Sequence, residues 1–540
     1  MNIKSLYNNI KNININSYLS LCGIKNVNFY IKGMTVEPTT HYDNIDEFVI
    51  GLKWCLESKD KFYLLVDSDA DGYLSSSLFY VYCKLVNPNC IIEPIFHNKN
   101  PKAHGLNDDE VMKYLKSQES SYLFINDAST NDAEFMKELV DLKWLIQTTD
   151  HHIKSTDNPY CTLVNNQISE NVINKGLSGT GVIWKCLKRY DEIYGYNYAK
   201  SLISYVMCSI ISDSMSLLYE ENYSFIKWGK MNIHKNLLPF IESFNKGDTN
   251  KDYSFGFIVK LNSTIRLGTL NDKKDLFYGL CGKSNNINDL ISRMNKLHTK
   301  QSNEVSKLIK NNIEEIYNNK IGLFKVDTKS PLTGLVANKL MSKYNKPILL
   351  VYENENGECF GSCRSPIPIK NQLNESGLFV FNEGHLQSFG SCYMKDKEHD
   401  IVNYFENMML EEPTETVLLS VNTSSLSDDL FNFKEDNKQY FGTNIPIPKF
   451  HIYSINIKGT DIKELGNGST IKFSYKGIDF IKFFCSKDLK EQLHIGKNKK
   501  LSIEVIGELN KNIFRNRVTN QVFIDKIEVM SYNSDINEIW

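Results

Sequence analysis

None of the 12 cysteines forms a C-x-x-C pair. The closest two, Cys359 and Cys363, lack a second partnered pair, which excludes a cysteine zinc site. Also missing is an apolar run of about 18 residues, the length that a helix needs to cross a bilayer. The opening stretch MNIKSLYNNIKNININ is polar and has no apolar core of a secretory signal. These absences lead to the expectation of a cytoplasmic protein without membrane contact, its thiols reduced. There is no surplus of one charge: 62 Lys+Arg stand against 64 Asp+Glu, a net −2. A uniformly basic nucleic-acid coat is thereby excluded, while a local basic channel is not. Nor is the chain poor in apolar residues. With 41% hydrophobic and 23% charged residues it is no disordered or fibrous protein. Its 540 residues suit three to four domains at roughly 150 each.

Organisation follows from periodicity. Lys61–Val66 (KFYLLV) is a short apolar run, SDADG a turn, and YLSSSLFYVYCKLV has helical spacing. The same unit recurs at SYLFIN followed by DAST, and at KWLIQT followed by TDHH. Continuous apolar strands alternating with helices predict a doubly wound parallel sheet, which collects ligands at the carboxyl ends of its strands. Residues 201–212 read as a buried helix. The polar stretch 285–319 reads as one long connecting helix. A second α/β segment follows, with a helix at 334–344, a strand at 346–352 and a further strand ending at GSCRS. Beyond residue 455, several short alternating runs predict a small β-barrel. The expected division is a lead-in and catalytic domain at 1–240, a connecting segment at 241–320, a substrate-binding domain at 321–415, and a linker with an OB-like domain at 416–540.

The chemistry concentrates at the strand ends. Asp67, Asp69 and Asp71 alternate directly after the first strand; Asp127 follows the next; Asp150, His151 and His152 follow the third; Asp213 closes the buried helix. Unpaired carboxylates so placed repel one another and call for a cation. The donor set of carboxylates and imidazole suits Mn²⁺ or Mg²⁺, and shared carboxylates suit two ions. Like-charge repulsion also predicts that removing Asp71 stabilises the metal-free chain. A single aspartate here would read as a helix cap. A calcium loop would need a glutamate where Leu78 stands. The joint occurrence at successive strand ends favours the metal reading.

VDSDADG, IND, TDHH and ISD resemble the four motifs of the DHH phosphoesterases, and more closely those of RecJ-type single-strand exonucleases. NNQ and LSGTGV between 159 and 182, LNSTIRL at 261–267, GSCRS at 361–365, Gly384-His385 and FGTNIPIPKF at 441–450 are similar to further stretches of that group. The resemblance implies a DHH domain, a second α/β DHH-associated domain joined by a long helix, and a C-terminal OB-like barrel. It implies metal ligation by Asp69, Asp71, Asp127, His151 and Asp213, with Asp67 beside them, and two divalent ions, Mn²⁺ preferred or Mg²⁺. His152 and Asp150 are the implied catalytic pair, His152 facing the scissile phosphate. Lys99, Arg266, Ser362, Arg364 and His385 are the implied phosphate contacts. Many members carry a histidine where this chain has Leu65. The implied activity is removal of 5′-mononucleotides from single-stranded DNA in the 5′ to 3′ direction by a monomer, with a single-strand-binding protein or a helicase as further partner. Two alternatives stand beside it: a DHH phosphodiesterase of short oligonucleotides or cyclic dinucleotides, and a non-catalytic DHH scaffold. In the terminal barrel, Phe514, Arg515 and Arg517 gather aromatic and basic groups as single-strand binding requires, while ordinary surface arginines on a hairpin would look the same.

Overall fold

In the computed structural model the described residues are 3–7, 13–98, 104–311, 313–410, 415–466, 468–514 and 517–533. They divide into two compact units: 32–409, and a second made of 1–31 with 410–540.

The larger unit begins with the parallel sheet. Strand β1 (Lys61–Val66) leads into helix α1 (Ala70–Val86), followed by β2 (Ile91–Phe96), β3 (Tyr122–Asn126), β4 (Leu145–Asp150) and β5 (Thr162–Asn165). The spatial order is β2-β1-β3-β4-β5, every pairing parallel. Order reverses between β1 and β3. At such a switch point the loops leave in opposite directions and open a crevice above the carboxyl ends. The residues that follow these two strands are Asp67 and Asp127. Leu65, Leu123, Ile125, Trp144 and Ile146 pack one side of the sheet, consistent with strands buried on both faces. Helices α2 (Gly179–Tyr194) and α3 (Ile203–Ser212) complete this lobe, and helix α4 (Val259–Leu267) follows them in the chain.

The long helix α5 spans Ile287–Asn311, shorter than its polar sequence suggests. After it, Ile313–Asn318 is strand β6, paired antiparallel with β7 (Gly322–Val326). Its Ile313, Ile316 and Tyr317 fit a pleated, half-buried surface, and the pairing overrides helical continuity. Helix α6 (Thr333–Tyr344), β8 (Ile348–Glu353), β9 (Glu358–Arg364), β10 (Phe381–His385) and β11 (Ser388–Met394) complete a sheet ordered β10-β11-β9-β8-β7-β6.

The smaller unit holds one eight-stranded sheet among the described residues. Its order is Ile3–Tyr7, Glu415–Asn422, Phe450–Lys458, Lys500–Phe514, Arg517–Asn533, Ile478–Lys482, Thr470–Tyr475 and Lys463–Leu465. The amino-terminal lead-in thus carries a strand, which pairs parallel with Glu415–Asn422. The expected hairpin is present as the antiparallel pair Lys500–Phe514 and Arg517–Asn533. No helix among the described residues is long and apolar enough to cross a membrane.

Candidate metal centre

Four side chains meet above the switch point. Ligand atoms of Asp71, Asp127, His151 and Asp213 lie within 4.8 Å of one another. His151 Nε2 is 3.2 Å from Asp127 Oδ1, 3.6 Å from Asp213 Oδ2 and 3.9 Å from Asp71 Oδ2. Asp127 Oδ1 and His151 Nε2 are both buried without a hydrogen-bond partner. Burial pushes the Asp127 and Asp213 carboxyls well above the usual range, and Asp71 and Asp69 add to it by repulsion. Burial, then the charge of His152, push His151 down, against the neighbouring carboxylates. A divalent cation answers all of this: it satisfies the two orphaned atoms, neutralises the carboxylates and takes a neutral imidazole as donor. The residues present therefore fit a hard divalent ion.

The backbone is shaped to make the cluster. Asp127 has φ 68°, a left-handed conformation uncommon outside glycine, which turns its carboxylate at the end of β3. Gly179 makes room for it, since a methyl group there would lie 2.2 Å from Asp127 Oδ1. This is the first glycine of the LSGTGV stretch noted in the sequence.

Asp71 differs from its neighbours. It accepts from the Gly179 N–H at 2.8 Å, the Thr180 N–H at 2.9 Å, and the hydroxyls of Thr180 and Ser209. Gly179 and Thr180 open helix α2, whose unpaired N–H groups and dipole favour an anion. Repulsion is thus not the only force on Asp71: four donors hold it. Helix capping falls instead to Asp69, which accepts from the Gly72 N–H at 2.9 Å at the start of α1.

Asp150 organises the paired histidines. Its Oδ1 accepts from the backbone N–H groups of His151 and His152 and lies 2.7 Å from His152 Nδ1. Its Oδ2 accepts from Thr130 N–H and Oγ1. Asn165, in the NNQ stretch, donates to Thr130 Oγ1 and to the His152 carbonyl. Burial would raise the Asp150 carboxyl, but His152 outweighs it and holds it low. In return Asp150 pushes His152 up to about 10. The His152 side chain is 57% exposed, so solvent screens part of that effect.

Asp67 and Asp69 form a second group with His104, within the same 4.8 Å limit. His104 and the neighbouring His97 were not singled out in the sequence, although both lie in the HNKNPKAHGL stretch that contains Lys99. Leu65 is fully buried in the core.

On the second lobe, Ser362 and Arg364 share a face of β9, with Cys363 buried on the other. Ser362 Oγ is 3.4 Å from Thr333 Oγ1. Arg364 Nη2 lies against Gly334 at the start of α6, 2.6 Å from where a side chain would begin. Burial pulls both Arg266 and Arg364 below the ordinary arginine range; Asp69 offsets this at Arg266, while the proximity of Arg266 deepens it at Arg364. Neither has a carboxylate salt-bridge partner among the described residues. Lys99 and Arg515, and the side chains of His385 and Phe514, lie outside the described residues. Arg517 is exposed at the start of its strand.

Residues 61–210 match the family model described as the DHH family, N-terminal domain. Over 536 residues, 91% of this chain and 92% of the relative, the sequence is 29% identical to YorK of Bacillus subtilis (strain 168), an SPbeta prophage-derived protein with the provisional name of single-strand DNA-specific exonuclease. Two solved structures of RecJ from Thermus thermophilus superpose on it. The complex with Mn²⁺ has a TM-score of 0.75 at 16% identity, covering 95% of this chain and 75% of that one. The complex with Mg²⁺ has a TM-score of 0.69 at 16% identity, covering 94% and 73%. The parallel sheet that carries the acidic cluster at its switch point thus lies within the stretch, residues 61–210, that matches the DHH family N-terminal domain, in a chain that has the RecJ fold.

Proposed function

We propose that this chain is a divalent-metal-dependent exonuclease that removes 5′-mononucleotides from single-stranded DNA in the 5′ to 3′ direction. The carrying observation is the pair of orphaned buried atoms, Asp127 Oδ1 and His151 Nε2, that face each other among repelling carboxylates. The provisional name of YorK and the fold of RecJ support the choice of substrate. Asp71, Asp127, His151 and Asp213 hold one ion, and Asp67 and Asp69 take part in holding a second. When bound, these ions polarise the phosphate and lower the pKa of the attacking water.

The remaining steps belong to side chains. His152, positively charged beside Asp150, donates to a phosphate oxygen and stabilises the charge that develops there. Asp150 positions that ring without touching substrate. Arg364 and Arg266 offer charge-assisted donors with no carboxylate salt bridge among the described residues, and Ser362 adds a hydroxyl, which suits a terminal 5′-phosphate and sets where the chain is cut.

The test is release of mononucleotides from 5′-labelled single-stranded DNA with and without Mn²⁺, for the unmodified chain and Asp127→Asn. Asp127→Asn is expected to lower turnover at least a hundredfold. Full Mn²⁺-dependent activity in that variant overturns the assignment.

A further inference from the structure

Phe484, in the smaller unit, combines exposure with strain. Its side chain is 85% exposed. Its backbone has φ 55°, a left-handed conformation that a bulky residue rarely adopts. Such a turn position ordinarily goes to glycine, asparagine or aspartate. Strain of this kind persists only where the surroundings over-determine it, and it gathers at ligand clamps.

The surroundings hold the turn on both sides. Phe484 follows the strand Ile478–Lys482. Before it, Lys482 Nζ donates to the Asp525 carbonyl at 3.0 Å, and the Phe483 ring packs edge-on against Phe523 with centroids 5.5 Å apart. After it, the Cys485 N–H donates to the Ser469 carbonyl at 2.8 Å, and Cys485 is buried. The chain is pinned at 482, 483 and 485, while the ring of Phe484 stands in solvent.

The adjoining face of the sheet carries an independent sign. Phe480 and its register partner Val522 are fully buried. Alternation therefore sends Ile481, Phe483 and Phe523 to the opposite face. Phe483 is 44% exposed there. A solvated sheet face is ordinarily polar; this one carries two phenylalanines and an isoleucine that lead to a third, exposed phenylalanine. The setting is also basic. Residues 461–500 contain nine lysines against five acidic residues, in a chain whose net charge is −2. Aromatic rings in basic surroundings complement a single-stranded nucleic acid, whose bases stack while its phosphates meet the lysines.

We propose that Phe484 is a base-stacking residue, the exposed end of an aromatic step with Phe483 and Phe523, and that it holds single-stranded nucleic acid on the smaller unit. The proposal rests on the strand-cutting reading above. To Phe514, Arg515 and Arg517, where the sequence alone places strand contacts, it adds a group on a different turn. Every base has a π-face, so this surface should hold a strand without regard to its sequence.

Fluorescence anisotropy of a labelled long oligothymidylate, titrated with the full chain in excess chelator, tests it without cleavage. Phe484→Ala should weaken binding at least about fivefold, the lower end of what one base–aromatic stack contributes. Phe484→Trp, which keeps a ring, should stay within about twofold of the unmodified chain. The side chain is exposed, so its removal should leave the fold intact; should Phe484→Ala fail to fold, Phe484→Gly, which adopts this φ without strain, is judged by the same criterion. A loss under about fivefold in Phe484→Ala overturns the assignment alone, as does an equal loss in Phe484→Ala and Phe484→Trp. No binding of the strand by the unmodified chain overturns both the assignment and the single-strand reading on which it rests.

Discussion

Replacing Asp71 by alanine is expected to loosen the metal-free protein. Its carboxylate is fully buried and accepts from two backbone N–H groups and two hydroxyls. Alanine leaves three of these donors without a partner, at about 1–1.5 kcal/mol each, while the Thr180 hydroxyl keeps the residue 71 carbonyl, 3.2 Å away, as its acceptor. Relief of repulsion with Asp127 and Asp213 returns about 1–2 kcal/mol of that. The net loss is about 2 kcal/mol. At about 2–4 °C per kcal/mol, thermal unfolding in excess chelator should fall by several degrees. Asp127→Ala is the counterpart: its Oδ1 is unpartnered and its carboxyl is already pushed toward the neutral form, so the same assay should show little change or a gain. Both variants should lose most of the rise in midpoint that Mn²⁺ gives the unmodified chain. A metal-free Asp71→Ala midpoint at or above that of the unmodified chain would refute the reasoning, because it would mean that repulsion outweighs the hydrogen bonds lost.

Three further outcomes are expected. Asp127 and Asp213 titrate above the ordinary carboxylate range in the folded state. Their contribution is thus fully present below the unfolded value of about 4 and is lost as pH rises through the raised value. Mn²⁺, which displaces those protons, should raise the thermal midpoint more near pH 8 than near pH 5; an equal or smaller rise near pH 8 contradicts the coupling. If Arg364 grips the terminal phosphate, 5′-phosphorylated strands should be cut faster than 5′-hydroxyl strands, and Arg364→Ala should remove most of that difference. Rates from the unmodified chain that do not depend on the 5′ group rule the grip out. If exposed Arg517 touches the strand, Arg517→Ala should reduce the slope of log affinity against log salt by about 0.7 for a long single strand; an unaltered slope places it away from the DNA.

Much of the site was legible because it lies where buried strands end. KFYLLV, SYLFIN and KWLIQT each run into an aspartate within two residues of their end, so Asp67, Asp127 and Asp150 stood out without tertiary information. The partners of Asp71 did not, since Gly179 and Ser209 are 108 and 138 residues away and nothing local signals that a helix start and a serine converge on one carboxylate. His97 and His104 were hidden for a related reason: their meaning depends on β1 and β2 being adjacent and in register. The end of α5 was misplaced because NIEEIYNN is polar enough to extend the helix, and only the facing strand Gly322–Val326 decides otherwise. Arg266 and Arg364 were visible as arginines; that burial depresses both became visible only with α4 and β9 in place.

The strand Ile3–Tyr7 has a consequence for synthesis. Its partner, Glu415–Asn422, lies some four hundred residues later in the chain, with the whole of the larger unit made in between. At about 5–20 residues per second, the ribosome needs on the order of 20–80 s before the partner emerges. During that interval the larger unit has time to fold around its own sheets, while an early strand waits with open backbone donors and acceptors, the kind of edge that recruits other chains. A nascent chain stalled before residue 415 should therefore associate with its neighbours through this strand far more than the completed protein does.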